Sequence, residues 1–154
     1  MTHQIQEQTV SHHDLYEKDF YLWLEQAAHL LRHRNLNELD LENLIEEIES
    51  MGRSEKRTIN SNLRILLMHM LKYKYQPDKR SNSWRYTILE HCQRLQEALQ
   101  DSPSLNCYFA AEFDDCYAAA RRLAATETGT PIDTFPITPP FTTAQVLDQE
   151  YLPE

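Results

Sequence analysis

The chain joins an acidic amphipathic segment to a basic, apolar-rich one through Met51-Gly52. Residues 38–50 read ELDLENLIEEIES and carry Glu38, Asp40, Glu42, Glu46, Glu47 and Glu49 with no basic residue. Residues 53–74 carry Arg53, Lys56, Arg57, Arg64, Lys72 and Lys74 against the single acid Glu55. Apolar residues recur three and four apart through both segments, the spacing of one face of a helix. An all-α fold follows, a helical bundle of about five helices with this pair at its centre. Only two glycines occur in 154 residues. That scarcity weighs against β-hairpins, dinucleotide-binding turns and phosphate-cradling loops, which all need positive φ. The pattern constrains the fold and names no activity.

At 154 residues the chain is long enough to bury one core. Its formal net charge of -9 disfavours it as a general ligand of nucleic acids or anionic membranes, although a local basic face escapes that objection. Cys92, Cys107 and Cys116 are odd in number and lack C-x-x-C spacing, which suits reduced thiols and a cytoplasmic setting. The opening residues MTHQIQEQTVSHHD contain no apolar run of the kind that leads secretion, and no stretch approaches membrane-spanning length.

Residues 1–13 are expected to form a flexible N-terminus, residues 14–129 the bundle and residues 130–154 an arm packed on it. Asp14 and Glu17 have the spacing of a capping box that opens a first helix, with Phe20, Trp23, Leu24, Ala27 and Leu31 as its buried stripe. His33-Arg34-Asn35 would end it. Asn37 or Asp40 can cap a second helix, whose buried stripe would be Leu41, Leu44, Ile45, Ile48 and Met51. Gly52 is expected to turn the chain into a tight helical hairpin, with one long kinked helix as the alternative. A hairpin would bring Glu46 and Glu49 near Lys56 and Arg57, and His69 back toward the end of the first helix. Ile59, Leu63, Leu66, Leu67, Met70 and Leu71 form the next face, with Ile65 and Met68 opposite, so this helix is expected to be central. Pro77 marks a loop, and Ser81 or Ser83 the next cap. Trp84, Ile88, Cys92, Leu95 and Leu99 define a fourth helix; Phe109, Phe113, Cys116, Ala120 and Leu123 define a fifth, closed by Gly129 and Pro131. The Pro/Thr-rich remainder keeps Ile132, Phe135, Ile137, Phe141, Val146, Leu147 and Tyr151, more apolar anchors than a solvated linker needs. Thr142 and Gln145 suggest a short terminal helix there.

Four groupings could carry chemistry. Glu46 and Glu49 stand three apart and could share a cation, but no Glu-x-x-His accompanies them, so a solvated acidic face is the preferred reading. Glu25, His29 and His33 line one helix face at steps of four without a third anchored ligand, and His12-His13 lies in the loose N-terminus. His69 flanks the apolar stripe beside Asn62, Leu66 and Tyr73. It could be a general base or ligand, but a half-buried imidazole bonded to a carbonyl or carboxylate is preferred, since no nucleophile keeps motif spacing with it. Residues 72–86, KYKYQPDKRSNSWRY, interleave Lys72, Lys74, Lys79, Arg80 and Arg85 with Tyr73, Tyr75, Trp84 and Tyr86. Cations beside stacking rings suit a single-strand or RNA contact. Helix-end pairing of Lys72 and Lys74, and a core role for Trp84, explain the same residues.

Taken in order, DFYLWLEQAAHLLR, LDLENLIEEIESMGRSEKR, LLMHMLKYKYQPDKRSNSWRYTI, SPSL, ARRLAATETG and the tail from Phe135-Pro136 to LDQEYLPE resemble a widespread, mainly cyanobacterial family, the domain-of-unknown-function family numbered twenty-nine. The resemblance implies a small helical protein and supplies no reaction. Tyr73 stands where the family pattern has Trp. The expected function is a non-catalytic interaction or regulatory adaptor domain with an unidentified protein partner. Nucleic-acid association through residues 72–86 comes second, and a metal-dependent or hydrolytic activity around His69, Glu46 and Glu49 third. No cofactor is expected, and the oligomeric state is open.

Overall fold

The computed structural model describes residues 10–154, so residues 1–9 of the expected flexible N-terminus lie outside the described residues. The described chain is all-α, 79% helical and without strands. Six α-helices follow in order: α1 (His12–Lys18), α2 (Phe20–Arg32), α3 (Leu41–Tyr75), α4 (Asn82–Asp101), α5 (Asn106–Thr128) and the short α6 (Thr143–Val146), with single 3₁₀ turns between several of them. None is long and apolar enough to cross a membrane. Contacts divide the chain into two compact units, Met1–Gly52 and Arg53–Glu154.

The N-terminal unit begins earlier than its Asp14 and Glu17 suggested. Ser11 is the N-cap, its Oγ accepting from the Asp14 N–H at 3.2 Å. The expected single first helix is two, because Asp19 takes an extended φ of -152° and caps the second, accepting from the Leu22 N–H at 3.0 Å. Of the expected stripe, Trp23 and Ala27 are buried, whereas Phe20, Leu24 and Leu31 are exposed. α2 ends as its sequence implied. Arg34 enters the left-handed region at φ 55°, with Arg34 N–H donating to Leu31 O and Asn35 N–H to Leu30 O, the paired bonds of a Schellman motif.

Gly52 does not turn the chain. α3 is one helix of 35 residues, so the hairpin and the facing of Glu46 and Glu49 with Lys56 and Arg57 are overturned. Those groups follow one another along the same helix, Glu46 ten residues before Lys56. A glycine lacks positional preference strong enough to end a helix that its flanking residues favour; it weakens one by about 1 kcal/mol relative to alanine. Nothing lies within 4 Å of a Cβ added there. Gly52→Ala is therefore expected to raise stability by about 1 kcal/mol in urea denaturation. Destabilisation would mean that the chain bends at this point.

The C-terminal unit holds the large core. Ile59, Leu63, Leu66, Leu67, Met70 and Leu71 of α3 are buried as expected, with Ile65 and Met68 half-buried. They meet Ile88, Cys92, Leu95 and Leu99 of α4 and Phe109, Phe113, Cys116 and Ala120 of α5. On α5 the expected Leu123 is exposed, and Tyr117 and Ala124 are buried instead. Ser81 caps α4, accepting from the Trp84 N–H at 3.2 Å, and Gly129 closes α5 at φ 66°. The segment after it supplies Phe135, Phe141 and Val146 to the same core, while Ile132 and Ile137 face solvent. Hydrogen bonds hold this segment: Tyr117 Oη donates to Pro136 O at 2.5 Å, Arg121 Nε to Phe135 O at 2.8 Å, and the Gln96 amide to Leu147 O. Thr142 and Gln145 form the full capping box of α6.

Candidate functional site

His69 is half-buried on α3, and its Nδ1 lies 2.9 Å from Ile65 O. A carbonyl only accepts, so Nδ1 carries the proton and Nε2 is the bare nitrogen of the neutral ring. His91 of α4, which no sequence pattern singled out, is held alike. Asn62 Nδ2 donates to Thr58 O at 2.8 Å, which turns Asn62 Oδ1 toward His91 Nδ1 at 2.7 Å. Burial pulls the pKa of both imidazoles down, aided at His69 by the charge of Lys72 and at His91 by that of Arg94. The seam therefore holds two neutral, oriented rings.

Glu46 and Glu49 are exposed on the N-terminal half of α3. Glu25 accepts from Tyr21 Oη at 3.1 Å, and His33 Nδ1 bonds His29 O at 2.9 Å with the two rings 4.1 Å apart. Among the described residues, no group of three or more His, Cys, Asp or Glu could hold a metal ion.

The basic and aromatic residues of 72–86 largely bond one another. Lys72 is buried; its ammonium meets Glu127 at 2.8 Å and sits 4.5 Å over the Trp84 ring. Arg80 Nε donates to Tyr73 O at 2.7 Å, satisfying one of the last carbonyls of α3, while its guanidinium lies 4.5 Å over the Tyr73 ring. Arg85 Nε donates to Tyr73 Oη at 3.1 Å, and Lys74 Nζ to Glu154 O at 3.3 Å. Lys79 stands exposed on the turn Pro77–Lys79. These cations stitch the corner between α3 and α4 and fasten the chain's last residues.

The N-terminal unit holds a buried polar network that its sequence did not announce. Asp40 N–H donates to His12 Nδ1 at 3.0 Å, so His12 carries its proton on Nε2 and gives it to Trp23 O at 3.0 Å. The His12 ring stacks on Trp23 at 5.2 Å. Asp40, whose carbonyl takes the first bond of α3, accepts at its carboxylate from Trp23 Nε1 at 3.1 Å, Asn43 Nδ2 at 2.8 Å and His13 Nδ1 at 3.1 Å. Tyr16 Oη donates to Glu47 at 2.6 Å, which pushes the phenol up to about 12.

The histidines of the two units respond oppositely to pH. Bonding to Asp40, then its charge, raises His13 above 6.5. Burial alone would raise Asp40, but the bonds from Asn43, His13 and Trp23 outweigh it and hold the carboxyl below 3.8. The His13 contribution is complete below pH 6.5 and fades as pH rises through its folded pKa; that of Asp40 is complete above 3.8 and fades below it. His69 and His91 are depressed below 6.5, so their unit loses stability as pH falls through that range. Imidazole NMR titration is expected to place His13 above 6.5 and His69 and His91 below it. A reversed order would contradict these bonds.

Around the network the unit leaves much apolar surface bare. Of the expected buried stripe of the acidic segment, Leu44 is half-buried and the rest is exposed: Leu41 50%, Ile45 53%, Ile48 60% and Met51 68%. Phe20, Tyr21, Leu22, Leu24, Leu31 and Leu36 are exposed too. Against these, the buried apolar residues of this unit among those described are Leu15, Trp23, Ala27 and Leu39. A helix stripe so placed records amphipathicity, and what covers it need not come from the same chain.

A family model described as "Domain of unknown function DUF29" matches residues 15–152. The chain belongs to the DUF29 family. No curated protein and no solved structure matches it. The match takes in both units of this DUF29 chain: the His12–Asp40 network from Leu15 onward and the core through α6.

Proposed function

We propose that this DUF29 chain is a non-catalytic protein-interaction module whose working surface is the acidic, apolar face of its N-terminal unit. One observation carries the reading: Leu41, Ile45, Ile48 and Met51 form a helical stripe that stays exposed in a unit with four buried apolar residues among those described. Scattered surface leucines are ordinary; a contiguous stripe at helical spacing is what a partner covers. Oriented neutral imidazoles at His69 and His91 are accounted for by the bonds that fix their helices. Nucleic-acid association is less supported, because Lys72, Lys74, Arg80 and Arg85 are engaged within the chain.

The test is comparative capture from the native cell. The tagged wild-type chain is expected to retain a reproducible protein partner that Ile45→Ser/Ile48→Ser loses, both variants keeping the same circular dichroism. Equal recovery by the two, or no partner for either, would remove the reading.

A further inference from the structure

The exposed stripe has a polarity that narrows its occupant. Leu41, Ile45 and Ile48 follow at steps of four and three, hence along one side of α3. Glu42 and Glu49 come one residue after Leu41 and Ile48, about 100° round the helix, and both are exposed. The stripe thus runs beside an acidic rail. Residues 38–50 contain no basic residue. Of the remaining acids, Asp40 is buried under Trp23, Asn43 and His13, and Glu47 is taken by Tyr16. From Leu41 to Met51 the rod rises about 15 Å, some three turns, which is the footprint of a helix laid along a helix.

We infer that this face binds a cationic amphipathic helix: a segment with apolar residues three and four apart and lysine or arginine along one flank. The inference rests on the interaction-module reading and adds the partner's chemistry to it. The apolar contact supplies attraction without direction, and the rail selects sign and orientation. A second copy of the chain seated antiparallel, stripe to stripe, would bring like-charged rails together, and nucleic acid or an anionic bilayer meets the same repulsion.

The test uses the full chain and two labelled synthetic peptides of the same length. Each has leucine at the three-four positions; one carries lysine elsewhere and the other glutamate. Anisotropy is read at low and physiological salt. The lysine peptide is expected to bind, more weakly as salt rises, and the glutamate peptide not to bind. Glu42→Lys/Glu49→Lys should weaken the lysine peptide about tenfold and admit the glutamate peptide, while Ile45→Ser/Ile48→Ser should abolish both. Because every position changed is exposed, circular dichroism should be unaltered in each variant.

Equal binding of both peptides, or binding indifferent to charge reversal, overturns the inference. So does failure of the lysine peptide to bind. If capture of a cellular partner still depends on Ile45 and Ile48 in that case, the interaction face survives and only its cationic occupant falls. Sedimentation that shows a dimer dispersed by Ile45→Ser/Ile48→Ser would assign the stripe to a second copy, against the inference but not against the face.

Discussion

Trp23→Ala is expected to melt the N-terminal unit while leaving the C-terminal core folded. Trp23 is fully buried and, among the described residues, is the largest of the four apolar side chains enclosed there. It stacks with His12 at 5.2 Å and Phe20 at 5.7 Å, and meets Tyr16 edge-on at 5.1 Å. Truncating a buried tryptophan costs about 3–5 kcal/mol. Here it also strips Asp40 of the indole donor and leaves a buried carboxylate short of a bond. A unit with so small a core has little reserve against such a loss. Hydrogen exchange should show residues 12–32 losing protection while residues 59–72 and α5 keep theirs. Uniform loss over both units, or none, would mean that Trp23 does not hold this unit together.

The other large effect lies at Leu67. It is fully buried within the cluster formed by α3, α4, α5 and the segment after Gly129. Leu67→Ala removes three heavy atoms and leaves a space that close-packed neighbours fill only in part. The cost is about 2–5 kcal/mol, read from the midpoint shift in urea at constant slope. A loss under about 1 kcal/mol would place the core elsewhere.

The same three-four periodicity runs through both halves of α3, and its outcomes differ. From Ile59 to Leu71 it correctly marked buried residues; from Leu41 to Met51 it marked residues that the chain leaves uncovered. Periodicity reports a sided helix, and only tertiary structure says whether that side has a neighbour. Caps fared better where the signal is local. Ser81 and the Thr142–Gln145 box need three or four adjacent residues and were legible, whereas Ser11 was obscured by the equally plausible Asp14. At Gly52 low propensity favours a hairpin over one long kinked helix, yet a 35-residue helix absorbs that cost and the chain continues.

Of the candidate groups, His69 is legible as a half-buried imidazole bonded to a carbonyl or carboxylate, and the structure identifies the acceptor as Ile65 O of the preceding turn. His12 was not. Its two bonds reach backbone atoms 11 and 28 residues away, a relation that no local spacing encodes. His91 was hidden likewise, its partner Asn62 lying on another helix. The internal use of the basic cluster rests on Glu127, Tyr73 and Glu154, and of these only Tyr73 falls within the segment that suggested it.

The segment after Gly129 bears on how the protein is made. Phe135 packs edge-on against Tyr75 at 5.7 Å, sixty positions earlier, and Phe141 and Val146 close over helices completed long before them. During synthesis α3, α4 and α5 are made before the aromatic residues that seal their shared interior. Contacts so distant along the chain form late and slowly. The helices must therefore wait, with leucines bare, for translation to deliver the residues that seal them, and that interval is when this protein is most open to chaperones.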